Sequence, residues 1–233
     1  MGTYIALLCV GVLCVALYLF VRSKKPSITA VLIKICASLI FISISGYGLY
    51  LHFQSLIALM FVIGMFFGLM GDIVLDLKFI YPNDDKLYTL AGFTSFGIGH
   101  VFFMAGLFRE YYHGESVLYT ILPFVFGLLM AVVTLLLEKP MKLRYGEMKI
   151  IVFIYAIFLF SMAGTAFSVA ILHNFATTSL ILLVVGGVLF AISDLVLSNS
   201  YFGGKDKSIP VLVMNILTYY FAQFLLASAI FFL

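Results

Sequence analysis

Eight apolar runs, each about as long as a bilayer is thick, occupy nearly the whole chain and leave only short connections. They fall at about 3–21, 28–48, 55–76, 88–108, 117–137, 149–168, 176–198 and 209–232. A helix needs about 20 apolar residues to cross the hydrocarbon core, so eight crossings use roughly 160 residues. The breaks carry turn chemistry: Lys25-Pro26-Ser27, Tyr81-Pro82-Asn83-Asp84-Asp85, Glu138-Lys139-Pro140 and Gly203-Gly204-Lys205. Within lipid every backbone group must find its partner inside the segment, and these runs are continuous rather than alternating, so they are helices and not barrel strands. The expected fold is an all-α membrane protein, a bundle of eight transmembrane helices forming a single integral membrane domain over residues 1–233.

Composition closes off the other classes. Of the 233 residues 64% are apolar and 10% charged, and the mean hydropathy is +1.22. A soluble domain runs at about 45–50% apolar and about 25% charged, so no room remains for a second, water-facing domain, a nucleic-acid module or a disulfide scaffold. Cys9, Cys14 and Cys36 are odd in number, sit inside apolar runs and make no metal-ligand spacing, so they read as small buried hydrophobes. The first run is not a cleavable signal, because its cations (Arg22, Lys24, Lys25) follow the apolar stretch instead of preceding it. Met1-Gly2 also lacks a hydroxyl residue at position 6, where Ala6 stands, so no myristoylation signal is read.

Lysines and arginines fall on one side. Eleven lie in the odd-numbered connections, only Arg109 lies in an even one, and Lys34 is within a run. By the positive-inside rule the odd connections are cytoplasmic and both termini outside. Short loops and the absence of organellar signals point to a bacterial plasma membrane. The third and seventh runs also resemble each other: GMFFGLMGDIVL from Gly64 and GGVLFAISDLVL from Gly186 align Gly64 with Gly186 and Asp72 with Asp194. Four helices separate them, which suggests a four-plus-four parallel repeat.

Ionisable groups inside a membrane helix cost roughly 2.5–3.5 kcal/mol on insertion scales, so each invites a functional reading. Lys34 lies about 10 Å deep in span 2, from 1.5 Å of rise per residue. Asp72 and Asp76 share a face near the cytoplasmic end of span 3. Asp194 has the matching depth in span 7, and His100 lies near the midplane of span 4. Tyr155 and Gln223 fall at intermediate depths. The set converges on the cytoplasmic half of the bundle and suggests one shared cavity. Bland readings compete: Asp76 as an interfacial charge, Lys34 snorkelling to headgroups, and His100 and Tyr155 as interhelical hydrogen-bonding groups. Arg109, Glu110, His113 and Glu115 read as a solvated outer loop, and His52 and His173 suggest no metal site.

The strings GDIVLDLKFI (71–80), AGFTSFGIGHVFFMAGLF (91–108) and LFAISDLVLSNSYF (189–202) resemble the YhhN-like family of multi-pass membrane proteins, which includes the animal lysoplasmalogenases. The matching features are Gly71-Asp72, Phe96 with His100, Phe190 with Ser193-Asp194, and Tyr219-Tyr220 with Gln223. Lys34 stands where the family tends to carry a lysine, without the proline that often follows. The resemblance implies hydrolysis of the vinyl ether bond of a lysophospholipid, releasing a fatty aldehyde and a glycerophospho-headgroup. That reaction begins with protonation of an alkenyl carbon and continues with water attack on an oxocarbenium-like species. It parallels glycoside hydrolysis, where a carboxylic acid and a carboxylate divide the work. On that reading Asp72 and Asp194 are the acid/base pair in unspecified order, and His100 orients one of them or the water. Lys34 meets the lipid phosphate, and Asp76, Tyr155, Ser193, Tyr219 and Gln223 complete the substrate site. No cofactor, metal or nucleic acid is called for; the partners are the lysophospholipid and membrane lipid, with oligomeric state open.

Three alternatives stand beside the hydrolase. A small proton-coupled transporter would also show buried carboxylates and a repeat, although only Pro123 lies inside a run. An intramembrane aspartyl protease would need YD and GxGD patterns, and Leu-Met-Gly-Asp at 69–72 with Ser193-Asp194 fits neither. A lipid-binding bundle would tolerate loss of either aspartate.

Overall fold

Each apolar run forms one helix in the computed structural model, which describes residues 1–114, 116–203 and 208–233. The helices are α1 (Gly2–Arg22), α2 (Ile28–Leu51), α3 (Leu56–Leu77), α4 (Asp85–Tyr111), α5 (Val117–Leu136), α6 (Lys149–Leu172), α7 (Thr178–Phe202) and α8 (Ile209–Phe231). All eight are long and apolar enough to cross a membrane. The molecule is therefore a multi-pass, all-helical membrane protein, and no strand occurs among the described residues. Glu115, Gly204, Lys205 and Lys207, which entered the loop readings above, lie outside the described residues.

Side-chain caps explain where several helices begin. Ser27, Ser55, Ser116 and Thr177 accept backbone N–H groups from the first turns of α2, α3, α5 and α7. The observed ends lie within four residues of those read from hydropathy. The largest extensions, four residues each, are at the ends of α6 and α7; α7 runs through Ser198-Asn199-Ser200, where the Ser198 hydroxyl and Asn199 amide donate back to the carbonyls of Asp194 and Leu195. Such polar residues lower hydropathy without breaking a helix.

Both termini meet at one end, where Tyr4 stacks on Phe231 at 4.4 Å and its hydroxyl donates to Ser228 at 2.9 Å. The lysine-rich connections gather at the other. There Lys86 pairs with Glu147 at 2.6 Å, and the Arg144 N–H donates to the Phe202 carbonyl at 2.9 Å, tying the α5–α6 connection to the end of α7. One expectation is corrected: Cys9 and Cys36 are exposed, on the outer faces of α1 and α2. A thiol facing lipid pays little desolvation, so an apolar run does not distinguish a buried cysteine from a lipid-facing one.

Packing divides the bundle into two like halves. In the first, α1 leans on α2, α2 on α3 and α3 on α4; in the second, α5 leans on α6, α6 on α7 and α7 on α8. The halves join chiefly through two matching contacts, α2 with α8 and α6 with α4, to which α8 adds smaller contacts with α3 and α1. Glycines carry the match to atomic detail. A Cβ at Gly64 would strike Phe103 and lie 3.0 Å from the Gly99 carbonyl, while a Cβ at Gly186 would lie 2.9 Å from Leu226 and 3.3 Å from the Ala222 carbonyl. These partners are themselves equivalent, since Gly99 and Phe103 precede Ala222 and Leu226 by the same number of residues. By that offset His100 corresponds to Gln223, and Phe96 to Tyr219.

The close α3–α4 approach requires the bare backbone at Gly64. Gly64→Ala is expected to destabilise the purified protein by about 1–3 kcal/mol, the usual cost of overpacking. Gly46→Ala, where an added Cβ meets nothing within 4 Å, is expected to leave the thermal midpoint unchanged. Equal midpoints for the two variants would contradict the packing.

Candidate active site

Asp72 and Asp76 are one helical turn apart on α3, and both point inward near its lysine-rich end. They are 2% and 6% exposed. Bare carboxylates in that setting would be prohibitively unstable, and the structure surrounds them with donors. Lys34 on α2 reaches between them, its Nζ 3.3 Å from Asp72 and 3.2 Å from Asp76. Asp72 also accepts from Ser38 Oγ at 2.5 Å and from Tyr219 Oη at 2.8 Å. Asp76 accepts from Tyr18 Oη at 2.7 Å. Tyr220 Oη lies 3.2 Å from Ser38 Oγ and donates to the Lys34 carbonyl at 3.3 Å. Behind Tyr219, the Gln223 amide donates to its hydroxyl at 3.0 Å. Side chains from α1, α2, α3 and α8 thus converge on two carboxylates and one ammonium.

Asp194 on α7 has different company. Its one hydrogen-bond donor among the described residues is Tyr155 Oη on α6, and it has no ion pair there. Tyr155 lies against His100 on α4, with Nε2 3.4 Å from the hydroxyl. The His100 ring meets the Phe190 ring edge-on at 4.9 Å, and its Nδ1 is buried with no partner. Ser193 faces α8 instead, with Asn215 Nδ2 2.9 Å from its carbonyl and 3.0 Å from its hydroxyl.

A cavity of about 50 Å³ joins the two groups. Asp72, Asp76, Lys34, Ser193, Asp194 and Tyr219 all contribute to its walls. It has room for a small number of waters, with polar groups to hold them. Asp194 also lines a second, largely apolar cavity of about 30 Å³ toward α6, the two sharing Asp194, Leu197 and Tyr201. That apolar cavity in turn shares Phe160 and Leu195 with a groove of about 650 Å³ on the outer surface between α5, α6 and α7. Toward the lysine-rich end, the first cavity shares Arg22, Phe79, Ser200, Tyr201 and Leu212 with a vestibule of about 530 Å³.

The chain belongs to the YhhN family. The family's sequence profile matches residues 29–230, which covers every helix but α1. No curated protein and no solved structure matches the chain.

In this YhhN protein, six of the nine residues singled out from sequence share one cavity, and three do not. Tyr155 and Gln223 stand one bond behind the cavity, at Asp194 and Tyr219, and His100 stands behind Tyr155. His100 is thus placed to act on Asp194 through the tyrosine and is not on the cavity wall. Lys34 is committed to two carboxylates. The sequence reading missed Tyr18, Ser38 and Asn215, and gave Tyr220 no role beyond its place beside Tyr219 in the family resemblance. Two of these were within reach of helical spacing: Ser38 is one turn beyond Lys34, and Asn215, Tyr219 and Gln223 fall on one face at steps of four. Tyr18 carried no such signal, because Tyr occurs 14 times.

The Lys34 cluster makes a separable prediction. Lys34→Met leaves two buried carboxylates facing each other and is expected to destabilise the fold by about 3–5 kcal/mol. Adding Asp76→Asn is expected to restore part of that loss, a non-additive result read by thermal unfolding of the purified proteins. Strict additivity would argue against direct pairing.

Proposed function

We propose that this protein is a membrane ether hydrolase acting on the vinyl ether bond of a lysophospholipid, in the manner of a lysoplasmalogenase, with its lysine-rich end in the cytoplasm. The observation that carries the reading is the position of Asp194, on the wall between a polar, water-sized cavity and an apolar one that shares Phe160 and Leu195 with an apolar outer groove. A vinyl ether is the boundary of its own molecule, with an apolar alkenyl chain on one side and a polar glycerophospho group on the other. Family membership supports the reaction class.

Hydrogen-bond accounting separates the two aspartates, which the sequence left interchangeable. Asp72 already accepts from an ammonium and two hydroxyls. Those three donors use most of what a carboxylate can accept. Among the described residues Asp194 accepts from Tyr155 alone, which leaves oxygen free to carry and deliver a proton. In the proposed sequence, the Asp194 carboxyl protonates the alkenyl carbon remote from the ether oxygen. The resulting oxocarbenium ion is stabilised by the Asp72–Asp76–Lys34 cluster, which carries a net charge of −1 when both carboxylates are ionised. Fixed charges aimed at a developing cation in a water-poor site are an effective form of catalysis. A cavity water then adds to the carbon bearing oxygen and returns its proton to Asp194. The hemiacetal collapses to aldehyde and the free glycerol hydroxyl, so one water is consumed and the acid is regenerated. Tyr155 orients Asp194, and His100 orients Tyr155. The inner cavities are too small for the lipid as they stand, so entry requires Tyr201 and Leu197 to part.

Aldehyde release by the purified protein from a lysoplasmalogen tests this. Asp194→Asn is expected to lower the rate by about 10²–10⁴-fold, the usual worth of a general acid. Asp72→Asn is expected to lower it as well, with the fold intact by thermal unfolding. Near-full aldehyde release from Asp194→Asn would overturn the assignment, and no release by the wild-type protein would overturn the reaction.

A further inference from the structure

The vestibule at the lysine-rich end is lined by Arg22, Lys24 and Lys25 from the end of α1 and its connection. None of the three makes an ion pair among the described residues. The other charges on its wall, Lys78 and Asp85, pair with each other at 3.0 Å. Arg22 is the unusual member. It is only 7% exposed, and its guanidinium lies 4.4 Å above the Phe79 ring. It also contributes to the walls of both the vestibule and the carboxylate cavity. The first turn of α8 forms the opposite wall through Ser208, Ile209 and Leu212. That turn has no side-chain cap among the described residues, and its positive end faces the same wall.

We propose that this vestibule binds the phosphodiester of the substrate's headgroup, with Arg22 as the principal phosphate ligand and Lys24 and Lys25 completing the site. Three cations with no carboxylate partner among the described residues, one of them largely buried, form a ready anion site, and guanidinium is suited to a phosphate's paired oxygens. Lys34 is a poor alternative, because a phosphate there would have to displace Asp72 or Asp76. The order of the cavities also fits one extended lipid: phosphate in the vestibule, the ether bond at Asp194, and the apolar chain beyond Phe160 and Leu195. The partition of Arg22, Phe79 and Tyr201 would hold the glycerol portion, with Phe79 and Tyr201 packed edge-to-face at 5.8 Å. This inference rests on the proposed reaction only for its choice of lipid.

Binding can be read without turnover, by the shift in thermal midpoint with graded concentrations of a saturated 1-O-alkyl lysophosphatidylethanolamine, which has no vinyl ether to cleave. The phosphate-free 1-O-alkylglycerol, glycerophosphoethanolamine and inorganic phosphate serve as comparison ligands. The wild-type protein is expected to bind the lysophospholipid at least about tenfold more tightly than the alkylglycerol, the scale of one charge-assisted contact, and less tightly as salt is raised. Arg22→Gln with Lys24→Gln and Lys25→Gln is expected to abolish that preference, and Arg22→Lys alone to keep most of it. Equal binding of the two lipids by the wild-type protein, or an unchanged preference in the triple variant, would overturn the proposal. Inorganic phosphate or glycerophosphoethanolamine binding as tightly as the lysolipid would overturn the lipid assignment in favour of free phosphate. A phosphate preference without vinyl ether cleavage would sink the reaction and leave the vestibule standing. Cleavage without a phosphate preference would do the reverse.

Discussion

Two carboxylates and an ammonium sit inside a helical bundle built for hydrocarbon, and most of the arrangement answers to that fact. Burial of such charges is tolerated only when each is paired and its remaining hydrogen-bonding capacity is met. Lys34 supplies the pairing, and Tyr18, Ser38 and Tyr219 supply the hydrogen bonds. Because these groups come from α1, α2, α3 and α8, the cluster fixes the depth and rotation of four helices relative to one another. A helix sliding by one residue would leave at least one charge without a partner. The cluster is therefore a register device as well as a source of fixed charge.

The two halves of the bundle show what this pairing makes possible. Asp72 and Asp194 occupy equivalent places on α3 and α7, and Gly64 and Gly186 make equivalent close approaches to α4 and α8. Their neighbourhoods have diverged. Around Asp72, Tyr219 and Gln223 of α8 stand where α4 has Phe96 and His100, and the ammonium of Lys34 completes the shell. Around Asp194 there is one tyrosine and an apolar wall. One scaffold used twice thus presents a carboxylate whose acceptor sites are largely filled and a carboxyl with oxygen to spare, facing the same small cavity. That asymmetry is what the proposed acid role of Asp194 exploits.

Much of this was legible in the sequence, for physical reasons. Hydrocarbon thickness sets the length of every run, so the eight helices and their approximate ends followed from hydropathy. The cost of burying charge marked Lys34, Asp72, Asp76 and Asp194, and helical spacing put Asp72 and Asp76 on one face. What could not be read was direction in the plane of the bundle. Depth along a helix does not say which neighbour a side chain meets, so Lys34 was expected at a lipid phosphate and His100 at a catalytic group. Lys34 instead bridges two carboxylates, and His100 contacts a tyrosine. The cysteines erred for a related reason, since in a membrane protein an apolar residue gains little by facing inward. Among the 14 tyrosines, Tyr155 and Tyr219 stood out beside Asp194 and Gln223, whereas Tyr18, also tied into the polar network, was hidden by the abundance of its type.

The cavities extend this logic from stability to chemistry. A chain of shared wall residues runs from a basic vestibule, through a polar cavity and past Asp194, to an apolar groove open to lipid. The polarity gradient along it matches that of a single-chain phospholipid, and Asp194, which among the described residues lining these cavities is the carboxyl without a cationic partner, stands at the crossover. The central claim is that this carboxyl delivers a proton to carbon. The most direct measurement is turnover of a lysoplasmalogen in D2O, with the aldehyde trapped at once by reduction and its deuterium content read by mass spectrometry. Protonation at the alkenyl carbon predicts one deuterium on the carbon next to the former carbonyl in every product molecule, with the labelled product largely lost in Asp194→Asn if that carboxyl is the donor. Aldehyde released with no deuterium at that carbon would contradict the account.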